Sequence, residues 1–231
     1  LVFDIPTSAT GFGVGDAKVL NFYDEATRRI EQLPGVDGVT VGSTVPWRDA
    51  STSSLGGPFA VEGYKPANGE ENPRAGFRIV APKFFSVLGV PLVEGREFGD
   101  QDRADGEPVA IVSQSLAQRL FPNGDALNRH VWWTDSLMVS FGLGKPRRIV
   151  GIAADVDDVH VVRRPGMTIY QPVRQIGFAG RLFVHASGDP YALIPAVTRV
   201  IRQLSADQPV ERAATLEDVR AQVVSPDRVN A

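Results

Sequence analysis

The pattern of apolar and polar positions predicts a β-α-β unit at the start of the chain. Residues 1–5 alternate with a period of two, which is typical of a half-buried strand. Over residues 19–33, apolar side chains recur every three or four positions, as on one face of a helix, and Pro34-Gly35 ends that pattern. Residues 36–45 are rich in valine and predict the second strand.

The last part of the chain repeats this order of elements. Residues 181–185 predict a strand, and the apolar positions of residues 193–204 share one helical face. Pro195 is unfavourable inside that helix, so the helix either kinks or begins later. Residues 209–213 predict another strand, and Thr215 caps a final helix.

Two β-α-β units that pair side by side predict a ferredoxin-like fold of the α+β class, with one open sheet and helices on one face. The middle of the chain has a different pattern, with a continuous apolar strand at 109–112, a helix that Ser113 caps, and a tryptophan-rich strand at 131–133. We therefore predict a small inserted α/β subdomain over residues 90–164. Residues 1–89 and 165–231 form the other subdomain.

Composition excludes several classes of protein. Of the 231 residues, 43% are hydrophobic and 22% charged, which excludes disorder of the whole chain. The net charge of −3, without a basic run, argues against nucleic acid as a partner. No cysteine is present, and no apolar run reaches the roughly 18 residues of a membrane span. The chain begins without Met and ends after a helical pattern, so we expect a piece of a longer protein.

Two segments carry partial binding motifs, and neither predicts a site. Residues 11–15 alternate glycine with apolar residues but lack the third glycine of a dinucleotide loop, which favours a flexible loop. The acidic cluster with His160 (Asp155, Asp157, Asp158) lacks the glycine and glutamate of a calcium loop, which favours a solvated loop. The sequence contains no known catalytic motif, so we predict no catalytic residue, cofactor or metal.

Three aromatic residues in the central part are candidate partner contacts: Trp132, Trp133 and Phe141. The two tryptophans occupy opposite faces of a strand, and Phe141 is followed by a glycine-containing segment. Exposed aromatic side chains beside glycines are common at contact sites. The alternative is that one tryptophan, together with Phe141, fills the core of the small subdomain.

Six phrases follow one another in a fixed order between Asp4 and Val219: Phe22–Val36, Phe77–Leu92, Glu94–Asp102, Val109–Pro122, Ile149–Val156 and Tyr170–Pro172. In order and spacing they resemble the MacB-type periplasmic core domain of ABC-transporter permeases. The group with duplicated permease halves and no fused ATPase, described from acidobacteria, is the most similar. One phrase departs from the family, since Asn128 stands where a glycine is usual, but asparagine tolerates the left-handed conformation of such a turn.

The resemblance implies a non-catalytic domain on the periplasmic side of the cell inner membrane. It implies a porter-like subdomain from the two chain ends and an inserted Sabre-like subdomain, acting in transport or mechanical transmission. The implied partners are the transmembrane helices of the full-length chain, a second permease half or homodimer partner, and a cytoplasmic ATPase subunit. Partner contacts are then expected at the membrane-distal end of the inserted subdomain. The alternative function is an envelope module that captures a peptide, lipid or protein.

Overall fold

The computed structural model describes residues 1–6, 17–49, 56–156 and 166–224. Within these ranges it defines eleven strands, seven α-helices and a 3-10 turn at Pro190–Leu193. The strands are β1 (Val2–Asp4), β2 (Val36–Gly42), β3 (Gly56–Val61), β4 (Arg74–Val80), β5 (Leu92–Gly95), β6 (Val109–Ser113), β7 (His130–Trp133), β8 (Arg147–Ala153), β9 (Thr168–Pro172), β10 (Arg181–Ala186) and β11 (Glu211–Ala214). The helices are α1 (Ala17–Ile30), α2 (Phe84–Val87), α3 (Gln114–Leu120), α4 (Ser136–Ser140), α5 (Val173–Ile176), α6 (Ile194–Leu204) and α7 (Leu216–Val224).

Strands from the two ends of the chain form one antiparallel layer in the order β11-β1-β10-β2. Val39 of β2 is the direct partner of Val184 of β10, so the two predicted β-α-β units lie side by side. Helices α1 and α6 cover one face with buried apolar side chains that include Phe22, Ile30 and Ile201. The α+β class is therefore confirmed.

The second face of this layer is covered as well, so the prediction of helices on one face was wrong. Val2 and Phe183 pack with Phe84 and Phe85 of α2 and with Val219 of α7. The rings of Phe84 and Phe183 meet edge to face, with centroids 5.6 Å apart. The reason is visible in the strands themselves, because neighbouring residues of β1 and β10 are buried and need apolar cover on both sides.

Six strands between β3 and β9 form a closed ring. Following the hydrogen-bonded neighbours, the ring runs β4-β3-β7-β8-β6-β9 and returns to β4. The pairs β4–β9 and β6–β8 are parallel and the others are antiparallel. β5 pairs with the C-terminal residues of β8, from Gly151 to Ala153. The layer meets this ring where Gly42 at the end of β2 pairs with Val80 at the end of β4.

The predicted boundaries at 89/90 and 164/165 do not coincide with the break in strand pairing. β3 and β4 precede the predicted insertion and β9 follows it, yet all three hydrogen-bond into the same ring as β6 and β7. These contacts join segments that are far apart in sequence, and no local pattern reveals them. By strand pairing, the strands within residues 56–172 form one group, and the strands near the two chain ends form another.

Several local predictions are confirmed. The Ser113 hydroxyl caps α3 by accepting the Leu116 N–H at 3.4 Å. Helix α6 begins at Ile194, so Pro195 stands in its first turn and the later start is correct. Asn128 adopts the left-handed conformation with φ of 65°, as its side chain type allows.

Trp133 is the largest side chain in the core of the ring, with 1% exposure. The ring centroids of Phe59 and Phe77 lie 6.3 and 5.7 Å from it, in edge-to-face contact. We expect Trp133→Ala to lower the free energy of unfolding by about 3–5 kcal/mol, since it leaves a large cavity. Thermal denaturation should show a melting temperature lower by about 2–4 °C for each kcal/mol.

The matched control is Trp132→Ala on the same strand. Its side chain is half-buried, so the loss should be less than half of that for Trp133. Equal losses for the two variants would contradict the assignment of Trp133 to the core.

Candidate functional site

Five charged side chains connect segments from the two ends of the chain by ion pairs. We call them the arginine–aspartate cluster: Asp4, Arg48, Asp49, Arg181 and Arg212. Asp4 ends β1, Arg181 begins β10, Arg212 lies in β11, and Arg48 and Asp49 belong to the segment that follows β2. The cluster therefore joins three of the layer's strands to the segment that leads toward the ring.

Asp4 is the centre of this cluster. Its carboxylate binds the Arg48 guanidinium, and the Arg181 Nε and Arg212 Nη1 atoms lie 3.5 and 3.4 Å from its oxygens. The side chains of Asp4 and Arg48 are each only 8% exposed. Burial raises the pKa of Asp4, and the positive charges of the three arginines oppose that shift. The ionised carboxylate thus depends on these guanidinium groups.

Asp49 continues the cluster toward the ring. Its Oδ2 accepts the Arg181 Nε–H at 3.0 Å and the Val45 N–H at 2.8 Å. Arg48 also donates from Nη1 to the Arg212 carbonyl oxygen at 2.8 Å. Each strand end at this position is therefore held by at least one charge-assisted hydrogen bond.

At its surface, helix α7 contacts Tyr191 of the 3-10 turn and Trp47 of the segment after β2. The Tyr191 hydroxyl donates to Asp218, and the Thr215 hydroxyl donates to the same carboxylate at 2.8 Å. These hydrogen bonds hold the pKa of Asp218 below its usual value. The Arg220 guanidinium lies 5.7 Å from the centre of the Trp47 ring, a cation–π distance.

The sequence-predicted contact residues divide between core and surface. Trp133 is buried, which removes it from the candidate contacts and fits the alternative core role for this residue. Trp132 is half-buried, and Phe141 is 66% exposed. Leu137, one helical turn before Phe141, is 55% exposed, and these two side chains form an apolar patch (Leu137, Phe141) on one side of α4. Val139 is 49% exposed but lies on the other side of this helix.

Sequence reasoning missed helix α4, although a signal for it existed. Asp135 caps the helix, since its Oδ1 accepts the N–H groups of Leu137 and Met138 at 3.0 and 3.3 Å. α4 connects the end of β7 to the start of β8, at the end of the ring where β2 meets β4. The apolar patch therefore lies beside the junction of ring and layer, and not at the end of the ring farthest from that junction.

The two partial motifs lie mostly outside the residues that the structure describes. Residues 11–15 and the residues Asp157, Asp158 and His160 lie outside the described ranges. Asp155 is described, and its Oδ1 accepts the Ser115 N–H at 2.9 Å at the start of α3. In the part of the chain that the structure describes, no group of three acidic or histidine side chains could hold a metal ion.

None of the helices within the described ranges has both the length and the apolar character that crossing a membrane requires.

Two solved structures have a similar fold. The periplasmic region of MacB from Actinobacillus actinomycetemcomitans superposes with a TM-score of 0.58, at 15% identity, over 96% of this chain and 91% of that one. The extracellular domain of the noncanonic ABC-type transporter YknZ from Gram-positive bacteria gives a TM-score of 0.53, at 15% identity, over 91% and 98%. At such identities the likeness shows the fold.

The family follows from the sequence itself. The family model of the MacB-like periplasmic core domain matches residues 8–224, and the chain belongs to that family. A comparison with curated protein sequences gave no match.

The arginine–aspartate cluster yields a stability prediction. We expect Asp4→Asn to lower the free energy of unfolding by about 3–5 kcal/mol, because it leaves the largely buried Arg48 without its carboxylate. Urea denaturation followed by tryptophan fluorescence measures this loss.

Glu107→Gln is the control for a surface ion pair. Glu107 binds Arg148 at 2.7 Å, but the two side chains are 52% and 31% exposed, so the loss should stay below about 1 kcal/mol. If Asp4→Asn costs no more than this control, the cluster does not hold the chain ends together.

Proposed function

We propose that this chain is the non-catalytic, periplasmic domain of a MacB-like ABC-transporter permease of the inner membrane, and that it transmits movement of the membrane helices. Membership of the MacB-like periplasmic core domain family supports the proposal. The likeness to extracytoplasmic regions of two ABC-type transporters agrees with it in fold. In this proposal, ATP hydrolysis by a cytoplasmic subunit drives the helices, and this domain carries their motion outward.

The observation that carries the proposal is the way both chain ends enter one layer. β1 and β11 are hydrogen-bonded neighbours, and Asp4 of β1 binds Arg212 of β11. A displacement applied at either end therefore reaches the same four-stranded unit. Rigid-body movement of such a unit about a junction is a common form of mechanical coupling.

We further propose that the layer is the porter-like, ferredoxin-like subdomain and that the ring is the inserted Sabre-like subdomain. The order β11-β1-β10-β2, with all pairs antiparallel, supports the first assignment. The strand pairing favours residues 1–42 and 181–224 for the layer and 56–172 for the ring. These bounds replace a division at residues 90–164.

The proposed coupling predicts how distances change during the ATPase cycle. The chain lacks cysteine, so spin labels can be placed on Gln118 of α3 and Gln203 of α6, two exposed positions of the ring and layer. In the full permease with its ATPase subunit in lipid, we expect the distance between one of these labels and the second permease half to change with nucleotide state. Pulsed electron resonance measures these distances without and with ATP.

The control places both labels, at positions 118 and 203, in the same domain. The distance between these two labels is measured in the nucleotide-free state and in ADP. A domain that does not move relative to the second half in any nucleotide state would contradict transmission. A large change within the domain alone would mean that the junction, rather than the whole domain, moves.

We propose that the apolar patch and Trp132 contact the second permease half or a homodimer partner. Its support is the exposure of two large apolar side chains, Leu137 and Phe141, which lie one helical turn apart on one side of α4. A photo-reactive phenylalanine analogue at position 141 of the full permease should cross-link to another chain. The matched position is Val93 of β5, which is 50% exposed and lies outside the patch. Equal cross-linking at both positions would argue against a contact at the patch.

A further inference from the structure

A cavity of about 500 Å³ lies at the junction of layer and ring. Side chains from the segment after β2, from β4, from α4 and from the residues between β9 and β10 surround it. Its volume is within the range of roughly 300–1,000 Å³ that small-molecule sites occupy, and junctions between subdomains are frequent places for such sites.

Most of the cavity wall is apolar. Phe77 and Ile79 come from β4, Met138 from α4, Leu143 from the following turn, and Phe178 from the segment before β10. Phe141 also lines the cavity and is 66% exposed, so it marks the opening to solvent. A wall of this kind favours an apolar ligand body.

Among the described residues, no opposite charge lies beside one charged side chain of this wall. Arg147, the first residue of β8, is 6% exposed, and no carboxylate of the described residues lies within ion-pair distance of its guanidinium. Its Nη1 donates to Gln175 Oε1 at 2.9 Å, and its buried Nε has no partner in the described part of the chain. Burial lowers the pKa of Arg147 to about 10, so the group still carries its charge at neutral pH.

Gln175 holds this guanidinium in place. Its Nε2 donates to the carbonyl oxygens of Glu107 and Arg103 at 2.7 and 3.2 Å, while its Oε1 also accepts the Val109 N–H at 3.2 Å. With both ends of the amide engaged by backbone, the acceptor for Arg147 has a fixed position. The cation is thus oriented before any ligand arrives.

The other charges on the wall do not neutralise Arg147. Asp49 and Arg181 both line the cavity, but they bind each other at 3.0 Å. An isolated buried cation is costly and is usually balanced by a bound or paired anion. Guanidinium groups bind carboxylates and phosphates particularly well, because their planar donors match two oxygens.

We propose that this cavity binds an anionic single-chain amphiphile, with its carboxylate or phosphate head on Arg147 and its alkyl chain against the apolar wall. The proposal goes beyond mechanical transmission and does not depend on it. Free fatty acids and alkyl phosphates share this chemistry, and the two head groups are separate arms of the test.

The first experiment uses the 231-residue chain and four probes: dodecanoate, dodecyl phosphate, dodecanol and hexanoate. The anions are kept below their micelle concentrations and dodecanol below its solubility limit. Isothermal titration calorimetry should give saturable binding of one molecule of dodecanoate or dodecyl phosphate. Dodecanol, without the charge, should bind about tenfold to a hundredfold more weakly. Hexanoate should be weaker still, since each methylene is worth about fourfold in affinity. The ratio between the first two probes tells which head group the site prefers.

The second experiment compares two neighbouring arginines. Arg147→Gln should weaken dodecanoate by about tenfold or more while changing dodecanol by less than threefold. Arg148→Gln is the matched control, because Arg148 binds Glu107 and is not part of the cavity wall. The affinity of this variant for dodecanoate should stay within twofold of that of the unaltered chain. Circular dichroism checks that both variants are folded.

Three results would overturn the proposal: no saturable binding of either anion, equal affinity for dodecanoate and dodecanol, or equal losses in the two arginine variants. If Arg147→Gln does not fold, the comparison of charged and neutral head groups on the unaltered chain decides alone. A failure here would leave the nucleotide-dependent distances between permease halves unaffected, so the two proposals fail separately.

Discussion

The buried carboxylate of Asp4 is the interaction on which the arrangement of the chain ends depends. Away from water, attraction between opposite charges is several times stronger than at a surface, and an unpaired charge is correspondingly costly. Asp4 brings together arginines from β10, from β11 and from the segment after β2. Segments more than 200 residues apart in sequence are thereby fixed in one place, as the Asp4–Arg212 contact shows. The arrangement of the layer, of its junction with the ring and of the cavity at that junction depends on these ion pairs of Asp4.

Local features of the fold could be predicted from sequence because local physics decides them. The caps at Ser113 and Thr215, the left-handed Asn128 and the first-turn Pro195 each depend on a few neighbouring residues. Closure of the ring depends on pairs such as Phe77 with Ile169, which lie far apart in the chain. A strand pattern says which face is buried but not which strand is the neighbour. The predicted subdomain boundaries were therefore set without the pairings that join β3, β4 and β9 to β6 and β7.

The candidate sites show the same division. Phe141 could be singled out because an aromatic residue next to glycines is a visible pattern. Arg147 could not, since its significance lies in the absence of a carboxylate from the described residues around it, and only the packed structure reveals this. Adjacent arginines in the sequence have opposite surroundings here: Arg148 pairs with Glu107 at the surface, whereas Arg147 turns toward the cavity. Successive side chains of a strand point to opposite faces, so these two neighbours have different surroundings.

The ring has a consequence for how two copies can stand close together. The six strands of the closed circuit each pair on both sides, so the circuit itself offers no open row of backbone donors and acceptors to a neighbouring chain. Among the described residues β5 pairs only with β8, but this edge strand is four residues long. The layer does end in an outer strand, β11, but that strand is short, its register with β1 is irregular, and Arg212 within it has a left-handed backbone with φ of 50°. Such distortions discourage the addition of a foreign strand. Domains tethered side by side at high local concentration would in this way be protected from aggregation through their edges.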